Sequence, residues 1–296
     1  AERTVALRAA TDPREPGTAD VVMVFVKYRQ TAEALAQARP LVGPRTLLFT
    51  LQNGLGNVEL IRAAYPDHRI VFGFTTLTCE MLGPGRIEAS YAGAGETCFW
   101  PTDARPDAAI EALRALLESA GIRSIVTADI ELMIWKKLVV NCCLNTLCAI
   151  TGRNVGELGD RPESWPVLEG VADEIVAIAA KKAIALDRAA AHAFLRSVAH
   201  EARAHYPSML VDVKHRRPTE IECLNGAVLR EAIEQGDTDA LPQVLAAIHA
   251  CGSLDYSRER ALQYARDAEA ALAALGDNAH AAALRGLAQY SVSRDH

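Results

Sequence analysis

The chain has 296 residues, enough for two domains with separate cores, and a content of 50% hydrophobic and 23% charged residues excludes global disorder. A formal net charge of -6 leaves no basic field for nucleic acid or an anionic membrane, so any anion site has to be local. Seven cysteines, odd in number and set mostly inside apolar runs, fit free thiols in a reducing cytosol better than a disulfide framework. No C-x-x-C pair has partners at zinc spacing, so no metal site is expected. No apolar run reaches the roughly 18 residues of a membrane span, and the first residues lack a charged-then-apolar leader pattern. A cytoplasmic protein without nucleic-acid or membrane partners is the expectation.

Residues 1–18 are polar and show no clear period. Ala19–Lys27, ADVVMVFVK, is the pattern of a parallel strand buried on both faces, with Lys27 at its carboxyl end. Thr31–Ala38 reads as a helix and Thr46–Leu51 as the next strand, running into Gln52, Asn53 and Gly54. Strand, helix and strand in that order make a βαβ unit. Ligands of open parallel sheets lie beyond the carboxyl ends of the strands, where Lys27 and Asn53 fall. Arg69–Cys79 reads as a further strand. After a Gly83-Pro84-Gly85 turn, short strands at 86–91 and 95–100 are expected to form a hairpin added antiparallel at the sheet edge. Asp107–Ser119 is an amphipathic helix and Ile122–Thr127 the last strand. From Asp129 to about Arg230 only helical patterns occur, which places a domain boundary near Ala128.

Ile134–Ala149, IWKKLVVNCCLNTLCA, is apolar nearly all round, the composition of a buried helix. Lys137, Asn141 and Asn145 follow at i, i+4 steps and share one stripe of it. Each would cost roughly 1–3 kcal/mol if left unpaired. Three such groups in register fit a small polar ligand better than they fit snorkelling or incidental capping. Further on, Ser208 either caps a helix or presents its hydroxyl. Pro218-Thr219-Glu220 is expected to open a helix with Ile221, Leu224 and Val228 as its core stripe and Glu220 in its first turn.

Four stretches, VFVKYRQ (24–30), LQNGLGN (51–57), WKKLVVNCCLNTLCAITG (135–152) and HYPSMLVDVKHRRPTEIECLNGAV (205–228), resemble the ketopantoate reductase family in kind and order, over about residues 19–230. The resemblance implies NADPH as cofactor and hydride transfer to the ketone of 2-dehydropantoate, a small 2-keto acid, giving pantoate for coenzyme A synthesis. It implies Lys137 as the group that hydrogen-bonds the ketone oxygen and protonates the developing alkoxide. Glu220 would hold the substrate hydroxyl and couple to that lysine, and Asn141, Asn145 and Ser208 would touch the substrate. Lys27, Gln30 and Gly54 would lie on the cofactor side, with Asn53 beside both nicotinamide and ketone.

Two departures qualify the match. No G-x-G-x-x-G loop of the kind that receives a pyrophosphate precedes Lys27. The chain is therefore expected to begin inside its cofactor domain, short of a unit of ~30 residues. On that reading it binds NADPH weakly or not at all and exposes an apolar sheet edge beside Val21–Val26 that favours homo-oligomers. From about residue 230, ACGSLDYSRERA, the Ala-rich stretch to Leu275 and the closing YSVSRD resemble the last helices of an octaprenyl-type polyprenyl diphosphate synthase. That chemistry needs Asp-rich clusters for Mg²⁺, and no two adjacent aspartates occur. The expected fold is α/β: a truncated Rossmann-like doubly wound sheet (1–127), an all-α domain (128–230) and a helical tail (231–296). Beside the reductase stand two other readings, a catalytically silent chimeric interaction protein and a polyprenyl synthase fragment.

Overall fold

The computed structural model describes residues 4–90 and 95–235, with Gln263, Arg266 and Ala270. Residues 1–235 form one compact unit and 236–296 a second. The stretch likened to a polyprenyl synthase thus lies almost wholly outside the described residues.

The β-branched and apolar runs form a sheet. β1 (Ala19–Val24) leads through α1 (Thr31–Gln37) to β2 (Val42–Thr50), and α2 (Asn57–Ala64) leads to β3 (Ile70–Thr75); the three strands are parallel. Leu47 and Phe49 of β2 face one way and Leu48 the other, so both faces need cover. On one side Leu35, Ile61 and Tyr65 supply it, on the other Ile110, Leu113 and Leu117.

β3 ends four residues before the expected Cys79, because the Thr75 hydroxyl accepts from the Leu77 amide at 3.2 Å and turns the chain out of the ladder. The expected 86–91/95–100 hairpin does not form. β4 (Thr78–Gly83) and β5 (Arg86–Ser90) make a separate two-stranded ribbon, closed by Pro84 and a left-handed Gly85 at φ 70°. β6 (Glu96–Pro101) instead pairs antiparallel with β3 inside the main sheet. After α3 (Ala108–Ser119), β7 (Arg123–Val126) pairs parallel with β6 as the far edge, giving the order β1-β2-β3-β6-β7.

Beyond Asp129 the described residues are helical, as their periods suggest. α4 (Ile130–Val140), a π turn (Asn141–Asn145) and α5 (Thr146–Thr151) are segments of one continuous helix. α6 (Val155–Gly159), α7 (Ser164–Lys181), α8 (Arg188–Glu201), α9 (Ser208–Lys214) and α10 (Asn225–Glu234) follow, and Trp135, Leu138, Leu168, Ile175, Leu195 and Leu210 meet in their common core. Contrary to the sequence expectation, the 22-residue helix Ile130–Thr151 is long and apolar enough to cross a membrane, at a mean hydropathy of 1.3. Here the helix is the central rod of the helical core.

The segment Pro218-Thr219-Glu220 does not open a helix. Arg216, left-handed at φ 55°, ends α9 with the Arg217 amide donating to Asp212 O at 2.8 Å, and regular helix resumes only at Asn225. Leu224 and Val228 are buried as expected, but Ile221 is 38% exposed.

Candidate active site

Lys137 sits in the last turn of α4, and its Nζ donates to the carbonyl oxygen of Thr75, the last residue of β3, at 2.7 Å. It also lies 5.5 Å from the centre of the Phe74 ring. Burial pushes its pKa down to about 8, against the pull of the Glu220 charge, which favours the ammonium. An ammonium has three donors, so the Thr75 bond leaves two for anything placed against it.

Lys27 lies three residues beyond the end of β1, which stops at Val24. Its Nζ donates to Asp212 Oδ2 at 2.9 Å and lies 3.5 Å from Glu220 Oε2. Burial opposes its charge, but the two carboxylates outweigh burial and raise its pKa. Asp212 is almost wholly buried and also meets Arg217 Nε at 3.2 Å. Glu220 is therefore held by Lys27, and it acts on Lys137 through its charge.

The loop after β2 joins these groups to the helical part. Gln52 Nε2 donates to Val26 O at 2.6 Å and to Thr31 Oγ1 at 2.9 Å, tying the end of β1 to the start of α1. Gly54 is left-handed at φ 80°, and a Cβ there would lie 2.1 Å from the Cys223 carbonyl oxygen. Next to it the Leu55 amide donates to that same oxygen at 2.9 Å. Asn53 follows Gln52 at the mouth of this loop, its carbonyl accepting from Asn57 Nδ2 at 3.1 Å. Gln30, exposed, precedes α1 without a side-chain capping bond.

On the central helix Asn141 is buried, and its Oδ1 accepts from Asn145 Nδ2 at 3.3 Å. Four residues of α-helix overshoot a full turn by about 40°. A π turn runs from one asparagine to the other, and the amide contact joins them across it. Ser208 is the exposed first residue of α9, and its side chain makes no hydrogen bond among the described residues. The structure thus brings Lys27 and Glu220 together, puts Lys137 in the field of Glu220, packs Gly54 on Cys223 and joins Asn141 to Asn145; it gives Asn53, Gln30 and Ser208 no such link. Two cavities of about 230 and 210 Å³ lie elsewhere, lined by residues such as Arg62 and Arg105 or Leu186 and Phe194, and neither includes Lys137 or Glu220.

Sequence reading missed Asp212 and Thr75. Asp212 left a signal, since an acid four residues after Ser208 in SMLVDVK has to share a helix face with it. Thr75 acts through its backbone, which no side-chain pattern records.

Set beside known proteins, residues 1–102 match the model described as Ketopantoate reductase PanE/ApbA, and residues 129–251 match Ketopantoate reductase PanE/ApbA C terminal. The second match runs past residue 230, where the resemblance was expected to end. A 2-dehydropantoate 2-reductase of Archaeoglobus fulgidus is 33% identical over 234 residues, covering 78% of this chain and 76% of that protein. The chain belongs to the ketopantoate reductase family. A second 2-dehydropantoate 2-reductase, from Streptococcus pyogenes, is 29% identical over 77% of this chain and 74% of its own length. Among solved structures, 2-dehydropantoate 2-reductase from Geobacter metallireducens superposes with a TM-score of 0.69 at 29% identity, covering 76% of this chain and 74% of that one. D-mandelate dehydrogenase with NADH and anilino(oxo)acetate gives 0.70 at 29% identity, covering 74% and 71%. The chain is thus a ketopantoate reductase-type oxidoreductase.

Proposed function

We propose that the chain reduces 2-dehydropantoate to pantoate with NADPH, residues up to 127 serving the cofactor and 128–230 the keto acid. The observation that carries this reading is Lys137, a desolvated ammonium with a pKa near 8 and two free donors, set where the sheet meets the helical core. When bound, NADPH supplies a hydride to the ketone carbon. Lys137 donates a hydrogen bond to the ketone oxygen and then gives a proton to the alkoxide, which becomes the alcohol hydroxyl of the product. Asn141 and Asn145 orient the keto acid with Ser208, and Glu220 takes the substrate hydroxyl while its charge keeps Lys137 protonated.

At the nicotinamide end the residues present fit the cofactor. Gln52–Gly56 follows β2 with two left-handed glycines, and this reading sets the nicotinamide there, beyond the carboxyl ends of β1 and β2, with Lys27, Gln30, Asn53 and Gly54 as its cofactor-side residues. Its free thiols fit a reducing cytosol. The outer edge of β1, with Met23 exposed on the strand and Phe25 exposed just past its end, fits association of two copies.

The deciding assay follows loss of reduced-nicotinamide absorbance with 2-dehydropantoate at high enzyme and NADPH concentrations. No oxidation with any 2-keto acid, using NADPH or NADH, would sink the proposal. Because a mandelate dehydrogenase superposes so well, an aryl 2-keto acid belongs in the same assay; faster reduction of it would move the substrate assignment and leave the chemistry in place. Activity that depends on the ammonium should fall above about pH 8, where Lys137 loses its proton. Glu220→Gln removes the charge that raises the Lys137 pKa, so this alkaline limb is expected to move to lower pH. A limb that stays in place would show that Glu220 does not act on Lys137.

A further inference from the structure

The central helix carries a π turn between the lysine and the end of the asparagine stripe, and one side chain from a distant segment is bolted onto it. Asn225 Nδ2 donates to the carbonyl oxygen of Cys142, inside the turn, at 3.2 Å. The hydroxyl of Thr146, the first residue after the turn, donates to Asn225 Oδ1 at 2.8 Å. One amide thus grips both ends of the widened stretch, 79 residues away from Thr146 in sequence. A π turn inserts a residue into the helical ladder and leaves backbone groups in need of partners, which is why such turns persist only where the surroundings fix them. Asn225 opens α10 directly after the Glu220–Leu224 segment, whose Cys223 carbonyl receives the Leu55 amide.

We infer that Asn225, with Thr146, is a positioning residue for substrate: it holds the π turn open and so sets the direction of Asn141 and Asn145. It rests on the proposed reductase reading and adds the element that aims the keto-acid contacts. Neither residue touches the reacting atoms. Lys137 precedes the turn and is anchored separately by Thr75 O, so its proton chemistry does not depend on Asn225. Binding of the keto acid and proton delivery are therefore separable by mutation.

The test compares Asn225→Asp, Thr146→Val and Thr146→Ser with the wild-type chain. Asn225→Asp keeps the shape but loses the donor to Cys142 O; Thr146→Val keeps the branching but loses the hydroxyl; Thr146→Ser keeps the hydroxyl. The first two are expected to raise KM for 2-dehydropantoate by about 10- to 100-fold, the scale of a displaced positioning contact. Their alkaline limb should stay near pH 8, and Thr146→Ser should behave as wild type. Independently of turnover, the side-chain amide resonances of Asn141 and Asn145, identified by their loss in Asn141→Asp and Asn145→Asp, should shift in the first two variants and not in the third. Wild-type KM in Asn225→Asp, or unmoved resonances together with a lower Tm, would overturn the inference and leave Asn225 a purely structural residue. A wild-type chain without turnover would count against the reductase reading alone, since the resonances still decide whether Asn225 positions the stripe.

Discussion

Lys137→Met is expected to lower kcat/KM for keto-acid reduction by about a thousandfold without loosening the fold. Removing one donor that stabilises a developing oxyanion costs about 10²–10³ in rate, and losing the general acid costs about 10²–10⁴. The two effects reside here in one ammonium, so they do not simply multiply. Stability runs the other way. Holding Lys137 at a pKa of about 8 instead of 10.5 corresponds, at about 1.36 kcal/mol per pH unit, to roughly 3 kcal/mol of unfavourable burial at neutral pH. Met also leaves the Thr75 carbonyl without its donor, a loss of about 1–3 kcal/mol. The terms nearly cancel, and the variant should melt close to the wild type at pH 7. Between pH 8 and 10.5 the unfolded wild-type chain binds more protons at this lysine than the folded one. Wild-type stability should therefore gain a rising contribution with pH over that window, and Lys137→Met should lack it. Denaturation at several pH values beside the rate measurement checks both halves. Retained activity, or a large drop in Tm accompanying its loss, would remove Lys137 from the centre of the chemistry.

The sheet and the central helix were legible because hydrophobic pattern alone dictates them. ADVVMVFVK had to be a strand and IWKKLVVNCCLNTLCA a core helix, but β1 stops at Val24 and is covered only in part, since as the edge strand it leaves Met23 exposed while Val22 and Val24 are buried. What escaped the sequence were choices between near-equal local options. Whether 86–91 pairs forward with 95–100 or back with 78–83 turns on a two-residue Pro84-Gly85 loop, and whether β3 ends at Thr75 or Cys79 turns on one hydroxyl. The Glu220 segment was misread for a different reason. Its carboxylate is drawn to Lys27, a contact spanning 193 residue positions, and helix propensity carries no information about a partner that remote. The polar stripe was visible as a spacing, but the π turn within it was not, because no local residue preference announces it.

The junction between the two halves makes the sharpest demand on a single residue. Gly54→Ala puts a Cβ 2.1 Å from the carbonyl oxygen and 2.7 Å from the carbonyl carbon of Cys223, both backbone atoms that no rotamer change can move. A non-glycine residue in the left-handed region costs about 1–2 kcal/mol, and overpacking costs about 1–3 kcal/mol more, so a loss of roughly 2–5 kcal/mol is expected. Gly121 separates the two contributions. It has the same kind of backbone, at φ 83°, yet nothing stands within 4 Å of where its Cβ would be. Gly121→Ala should therefore cost only the conformational part, about 1–2 kcal/mol. Equal costs in urea denaturation would mean that the loop after β2 does not press against Cys223. The expected excess for Gly54→Ala, together with a raised KM, would mean that the Asn53 loop and the Glu220 segment work as one rigid piece, the condition for Lys27, Glu220 and Lys137 to act on the same substrate.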